Sequence, residues 1–124
     1  MERYEYVQHL VSVVQGRLAP GKSVWALFRA AWPGGSITGA PKLRAMEIIT
    51  ELERLARGPY CGSLFYHGFD GAADSNLLIR TIVAAERECS FSVGGGITLA
   101  SEPTQEYAET WHKATGLLQA LGIN

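Results

Sequence analysis

Two glutamates and a lysine follow one another at helical spacing near the end of the chain. Glu106, Glu109 and Lys113 stand at i, i+3 and i+7, so on an α-helix they form one stripe. Two carboxylates three residues apart near a helix start can share a hard divalent cation, and Mg²⁺ takes such oxygen ligands. A pair of solvated surface carboxylates has the same spacing. The pattern therefore leaves a metal site and a plain surface role both open.

Two glycine-rich stretches could bring backbone close to a ligand. The first, PGGSITGAPK at residues 33–42, leads directly into a helical pattern, and free N–H groups at a helix start attract anions. The second, VGGGITL at residues 93–99, has three successive glycines inside a strand-like run, which mark a bulge or a close backbone approach. Neither matches a P-loop or a dinucleotide-binding fingerprint. The first loop suits an acidic ligand, and plain glycine-rich connections are the structural alternative.

A single arginine interrupts an apolar run at residues 76–85. Leu78, Arg80 and Ile82 share one face of the predicted strand, and the opposite face is apolar as well. A lone buried guanidinium is costly, so Arg80 is expected to meet a carboxylate. That carboxylate belongs either to the protein, as a structural ion pair, or to a ligand.

The elements that position these residues are predicted in the order β-α-α-β-β-β-α. A strand over 9–14 precedes a short helix capped by Ser23, and a second helix runs from Pro41 through Ala56. Three strands over 60–69, 76–85 and 89–93 form an antiparallel meander with a hairpin turn at Asp70-Gly71. The last helix begins around a Ser101 cap and ends near residue 121. This order predicts an α+β fold, an antiparallel sheet with flanking helices.

Composition excludes several classes of protein. The 124 residues are 47% hydrophobic and carry a net charge of −1, which suits one domain with no general attraction to nucleic acid or anionic membranes. No apolar run approaches the roughly 20 residues that a membrane span needs, and the charged N-terminus lacks a signal-peptide pattern. The two cysteines, Cys61 and Cys89, have no CxxC spacing. A reducing, cytoplasmic location is expected.

Six motifs taken together resemble the chorismate-utilising enzymes, which include anthranilate, aminodeoxychorismate, isochorismate and salicylate synthases. The motifs are QHLVS at 8–12, GGSITGAPKLRAMEII at 34–49, PYCGS at 59–63, LLIRT at 77–81, VGGGIT at 93–98 and EYAETWHKA at 106–114. The resemblance implies that residues 1–124 are an incomplete, C-terminal portion of a chorismate-binding α/β sandwich. The family's earlier catalytic segment is not matched in this chain.

The resemblance also implies a role for each candidate site residue. Two acidic residues would bind Mg²⁺, a tyrosine and an arginine would hold the enolpyruvyl carboxylate of chorismate, and a glycine turn and a lysine would contact the substrate. Two further polar residues would act near the ring. These residues are Glu106 and Glu109 for the metal, Tyr60, Arg80, Gly94, Gly95, Gly96 and Lys113 for the substrate, and His9 and Ser36 for catalysis.

Within the family, the PGGSITGAPK loop is most similar to aminodeoxychorismate synthase component I. Such an enzyme aminates chorismate to 4-amino-4-deoxychorismate on the way to para-aminobenzoate and folate, with ammonia from a glutamine amidotransferase subunit. Anthranilate synthase component I, of tryptophan biosynthesis, more often reads GTLSGAPK or GTVSGAPK there and is the alternative. A truncated remnant without activity is another. Alone, the 124-residue chain is expected to be inactive and to self-associate through uncovered surfaces.

Overall fold

A computed structural model describes residues 11–123, and also the backbone of two short strands before them. It is an α+β structure, as predicted. The helices are α1 (Val24–Ala31), α2 (Gly35–Thr38), α3 (Lys42–Leu52) and α4 (Pro103–Ala120). The strands are β1 (Glu2–Arg3), β2 (Gln8–His9), β3 (Phe65–His67), β4 (Ala73–Ser75), β5 (Ile82–Ala85) and β6 (Glu88–Phe91).

The described strands pair as three separate two-stranded antiparallel sheets, β1 with β2, β3 with β4, and β5 with β6. The chain divides into two compact units, residues 1–30 and 31–124. The first contains β1, β2 and most of α1. The second contains the other elements and every predicted site residue except His9.

Side-chain caps mark the starts of α1 and α4. Ser23 caps α1 as predicted. Its carbonyl oxygen accepts a hydrogen bond from the Leu27 N–H at 3.1 Å, and its hydroxyl oxygen accepts one from the Ala26 N–H at 3.4 Å. The cap of α4 is Glu102 rather than Ser101. The Glu102 carboxylate accepts from the Thr104 and Gln105 N–H groups at 3.0 and 3.2 Å. A carboxylate at a helix start is further stabilised by the helix dipole.

The PGGSITGAPK loop folds into the single turn of α2 and then enters α3. Gly39 joins the two helices at φ 104°, a left-handed conformation that favours glycine. A Cβ there would also lie 3.1 Å from the Cβ of Ala45. The helix after Pro41 ends at Leu52, earlier than the predicted Ala56, where the Glu53 N–H bonds to the Ile49 carbonyl at 2.8 Å.

The strand predictions are confirmed in part. The Asp70-Gly71 turn connects β3 and β4, with Gly71 at φ 86° and its N–H bonded to the Gly68 carbonyl at 3.0 Å. The predicted strand over 9–14 is wrong from Val11 onward, where the backbone is irregular. The predicted strand over 76–85 is wrong before Ile82. Before Ile82, Asn76 and Leu78 instead form backbone hydrogen bonds with the 61–64 segment.

Apolar residues recur at helical spacing and form one stripe along α3 and another along α4. Both stripes are largely exposed to solvent within the described part of the chain. Ala114 is the single buried hydrophobic residue there. Tyr107 and Trp111 of the same stripe are 65% and 56% exposed, and Leu52 of α3 is 76% exposed. Within the described ranges, none of the helices combines the length and apolar character needed to cross a bilayer.

Candidate functional site

The glycine run after β6 is the centre of the candidate site. Lys113, on α4, donates from Nζ to the carbonyl oxygen of Gly94 at 3.1 Å, and this hydrogen bond is partly buried. A lysine on a rigid helix thus ties the glycine backbone to α4. The structure thus brings Lys113 and the glycine run into contact, and their shared role in substrate binding stays a prediction.

Tyr60 approaches the same glycine with its hydroxyl group. A Cβ built on Gly94 would lie 2.8 Å from the Tyr60 Oη, so the close approach depends on glycine at this position. Burial raises the pKa of the Tyr60 phenol above its ordinary value, and the neighbouring Cys61 adds to the rise. The phenol therefore stays protonated at neutral pH and can donate a hydrogen bond to an anion.

The turn that presents Tyr60 is held by backbone hydrogen bonds. The Tyr60 N–H bonds to the Arg57 carbonyl at 3.2 Å, and the next N–H, from Cys61, bonds to the Leu78 carbonyl at 3.0 Å. Cys61 has a left-handed backbone, φ 67°, which is uncommon for a residue with a side chain. The bond to Leu78 helps to maintain this conformation.

Glu106, at the start of α4, lies against the next glycine. One carboxylate oxygen, Oε1, accepts from the Ser101 hydroxyl at 2.6 Å, and Ser101 Oγ in turn accepts from the Thr98 N–H at 2.9 Å. The other oxygen, Oε2, would be 3.0 Å from a Cβ on Gly95. One side of the carboxylate is therefore oriented by the 98–101 turn and the other faces the glycine run.

Glu109 lies one turn before Lys113 on α4 and forms an ion pair with it, with 2.5 Å between the Oε1 and Nζ atoms. The hydrogen bond from Lys113, followed by its charge, lowers the pKa of the Glu109 carboxyl. Glu109 is consequently ionised at neutral pH. Lys113 links this carboxylate to the Gly94 carbonyl, so the predicted acidic stripe and the glycine run meet through one side chain.

The remaining predicted residues have different surroundings. Ser36 lies exposed on α2. Arg80 is exposed and occupies a bend at φ 52°, so the prediction of a buried charge within a strand is wrong. The His9 side chain lies outside the described residues, although its backbone belongs to β2. Gly96 belongs to the glycine run, with nothing within 4 Å of a Cβ built there.

Two contributors to the site are absent from the sequence-based predictions. Ser101 orients Glu106 through a hydrogen bond from its hydroxyl group. The sequence predicted Ser101 only as a helix cap, because it stands just before a helix. Arg57 lies over the Tyr60 ring, with 5.8 Å between the guanidinium carbon and the ring centroid. The Arg-Gly-Pro-Tyr sequence at 57–60 is a turn signal that could have indicated this proximity.

The carboxylate oxygens of Glu106 and Glu109 are of the ligand type that Mg²⁺ prefers. Glu106 and Glu109 are carboxylates three residues apart on one helix, and Mg²⁺ is commonly held by one or two carboxylates with substrate and water completing the shell. Within the part of the chain that the structure describes, no three His, Cys, Asp or Glu residues cluster so as to bind a metal by themselves.

The Tyr60 hydroxyl, Lys113 and Glu106 thus lie at the glycine run of this α+β chain, and Glu109 is linked to it through Lys113. The chain belongs to the chorismate binding enzyme family, whose match covers residues 1–119.

Curated relatives include two synthase components. The chain is 50% identical over 121 residues to an anthranilate synthase component 1 of Haloarcula marismortui, with 98% of this chain and 25% of that protein covered. It is 49% identical over 121 residues to the aminodeoxychorismate synthase component 1 of Klebsiella aerogenes, with 98% and 27% covered. The chain thus spans about a quarter of the length of these relatives.

Proposed function

We propose that this chain is the C-terminal portion of an aminodeoxychorismate synthase component I, which aminates chorismate at ring C4 and retains the enolpyruvyl group. The observation that carries the proposal is the convergence of the Tyr60 hydroxyl and the Lys113 ammonium on the Gly94 backbone. Chorismate is a dicarboxylate, and a neutral donor, a cation and backbone N–H groups are the partners that carboxylates take.

Each residue has a role in this proposal that its chemistry permits. Tyr60, with Arg80, holds the enolpyruvyl carboxylate, and Lys113 contacts a carboxylate end of the substrate. The glycines at 94–96 allow the substrate to lie against the backbone. His9 and Ser36 act near the ring.

Glu106 and Glu109 would hold Mg²⁺ in this enzyme. When bound, the ion would supply Lewis-acid stabilisation of negative charge on the ring carboxylate of the substrate. Ser101 would keep Glu106 oriented toward that task through its 2.6 Å hydrogen bond. Because Lys113 pairs with Glu109, the lysine would share or release this carboxylate when the metal and the substrate bind.

The choice of product rests on the loop that forms α2. Its sequence, PGGSITGAPK, resembles aminodeoxychorismate synthase component I more than the GTLSGAPK or GTVSGAPK of many anthranilate synthases. Anthranilate synthase component I is the second candidate, because the Haloarcula marismortui protein matches this chain at 50% identity, as well as the Klebsiella aerogenes protein does at 49%. That reaction adds ammonia at C2 and expels pyruvate.

A coupled assay distinguishes the two products. The full-length protein carrying this chain is given chorismate, ammonia and Mg²⁺, and a separate aminodeoxychorismate lyase is added afterwards. We expect 4-aminobenzoate to form only after the lyase is added, because the enolpyruvyl group is retained until then. Fluorescent anthranilate and pyruvate released before the lyase would contradict the proposal and support the second candidate. The same mixture without Mg²⁺ is the control.

We further propose that the full-length enzyme is cytoplasmic and receives its ammonia from a glutamine amidotransferase subunit. Cys61 and Cys89 are free thiols, which suits a reducing compartment. Adding the amidotransferase should allow glutamine to replace ammonia in the coupled assay.

The 124-residue chain by itself is expected to lack chorismate turnover and to self-associate. Leu43 and Leu52 of α3 are 77% and 76% exposed, and large apolar side chains exposed in this way favour association. Light scattering of the purified chain over a concentration series measures its size, and the coupled assay measures turnover. A monodisperse monomer, or steady turnover at rates typical of enzymes, would contradict this expectation.

A further inference from the structure

A salt bridge just after α3 fixes an arginine beside the proposed substrate-binding tyrosine. Glu53 and Arg57 form two parallel hydrogen bonds, from Nε to Oε2 at 2.8 Å and from Nη2 to Oε1 at 2.6 Å. Such a two-point contact restrains the orientation of the planar guanidinium, which a single contact to lysine would not. The geometry of the pair is therefore well defined.

The orientation of this guanidinium brings it over the ring of Tyr60. Its central carbon is 5.8 Å from the ring centroid, within the range of a cation–π interaction. The turn from Arg57 to Tyr60, closed by the 3.2 Å backbone hydrogen bond, sets this approach. Gly58, at φ 58°, allows the turn because a left-handed backbone is readily accessible to glycine.

Both members of the pair remain ionised near neutral pH. The hydrogen bond from Arg57 lowers the pKa of the Glu53 carboxyl, and the same bond raises the pKa of the Arg57 guanidinium. The Glu53 side chain is 41% exposed and the Arg57 side chain 25% exposed, so the arginine is the more enclosed partner. The carboxylate thus compensates a cation that is partly removed from water.

Tyr60 lies beside a small cavity. A cavity of about 50 Å³ borders Arg57 and Tyr60, with Leu78, Val83 and Phe91 also in its lining. The hydroxyl end of Tyr60, by contrast, is so close to Gly94 that a side chain at this position would clash with it. Tyr60 borders a cavity on one side, while its hydroxyl group lies close to Gly94. A neighbouring side chain that restrains the ring would keep the hydroxyl group in this position.

We propose that Arg57, clamped by Glu53, is a positioning residue that holds the Tyr60 hydroxyl at Gly94 for contact with the substrate carboxylate. The inference rests on the proposed function for its substrate. Arg57 does not contact the substrate in this proposal. Arg57 acts through the position of Tyr60, and Glu53 acts through Arg57.

The test is a double-mutant cycle in the full-length protein, using Arg57→Met and Tyr60→Phe. Arg57→Met is expected to raise the KM for chorismate about tenfold with kcat within about twofold, because binding geometry is lost in ground and transition states alike. In the Tyr60→Phe background the same substitution should change KM by less than about twofold, since the hydroxyl that Arg57 positions is gone. Arg57→Lys, which keeps the cation without the two-point contact, should give an intermediate KM.

Arg54→Met is the matched control, because Arg54 lies three residues earlier on an exposed part of the same segment. Its KM should equal that of the unmodified protein. If Arg57→Met does not fold, Glu53→Gln tests the same clamp while retaining Arg57, and a severalfold rise in KM is expected. An unchanged KM in Arg57→Met or Glu53→Gln, or an equal rise in both Tyr60 backgrounds, would overturn the inference.

A second measurement does not depend on turnover. In protein labelled selectively at tyrosine and glycine, a nuclear Overhauser effect is expected between the Tyr60 ring and the Gly94 α protons. Arg57→Met should remove it and Arg54→Met should retain it. Its persistence in Arg57→Met would overturn the inference. Its loss there, in a protein that does not convert chorismate, would sustain the positioning of Tyr60 by Arg57 while overturning the proposed function.

Discussion

Replacing Glu109 by glutamine is expected to lower Mg²⁺-dependent turnover by the full-length enzyme about a thousandfold while leaving its fold intact. A Lewis-acidic ion contributes several kcal/mol to a charged transition state, and about 1.4 kcal/mol corresponds to a tenfold change in rate. The amide preserves the size of the side chain but removes the anionic oxygen. Initial rates over a Mg²⁺ titration measure the loss.

Glu47→Gln supplies the control for this substitution. Glu47 forms a surface ion pair with Arg44 at 2.9 Å, and its side chain is 61% exposed, close to the 54% of Glu109. A surface carboxylate of this kind contributes well under about 1 kcal/mol to stability and nothing to the rate. If Glu109→Gln shows the same normal kinetics as Glu47→Gln, Glu109 is not a metal ligand and its pairing with Lys113 is structural.

Replacing Gly94 by alanine is expected to displace the Tyr60 hydroxyl and to lower kcat/KM for chorismate by tenfold or more, roughly the effect of a misplaced binding group. The new Cβ would lie 2.8 Å from Tyr60 Oη, a distance that requires either the ring or the glycine backbone to move. Movement of the backbone would strain the Lys113 hydrogen bond to the Gly94 carbonyl. Overpacking of this type also costs about 1–3 kcal/mol of stability.

The matched control is Gly116→Ala on α4, where a new Cβ meets nothing within 4 Å. Alanine is preferred to glycine inside helices by about 1 kcal/mol, so this variant should keep its activity and become slightly more stable. Kinetics and thermal unfolding of the two variants separate a local clash from a general effect of adding a methyl group. Unchanged kinetics in Gly94→Ala would show that the Tyr60 contact has no part in substrate binding.

The sequence by itself determined the elements whose causes are local. The Ser23 cap, Pro41 before α3, the Asp70-Gly71 turn and the periodicity of α4 each act within a few residues, and the starts of α1 and α3, the β3–β4 turn and α4 lie where these signals predicted them. The stripe of Glu106, Glu109 and Lys113 followed from helical spacing for the same reason. Family membership followed from motifs that also depend on sequence alone.

Only the tertiary structure decided features that depend on distant partners. Arg80 has a strand-like sequence context, yet the residues just before it bond to the 61–64 segment and Arg80 itself turns left-handed at φ 52°, which residue type does not encode. Glu102 rather than Ser101 accepts from the free N–H groups of α4, and the Ser101 hydroxyl donates to Glu106 instead. Tyr60, Gly94 and Lys113 meet because backbone hydrogen bonds and close packing join segments far apart in the chain, and such contacts have no local signature.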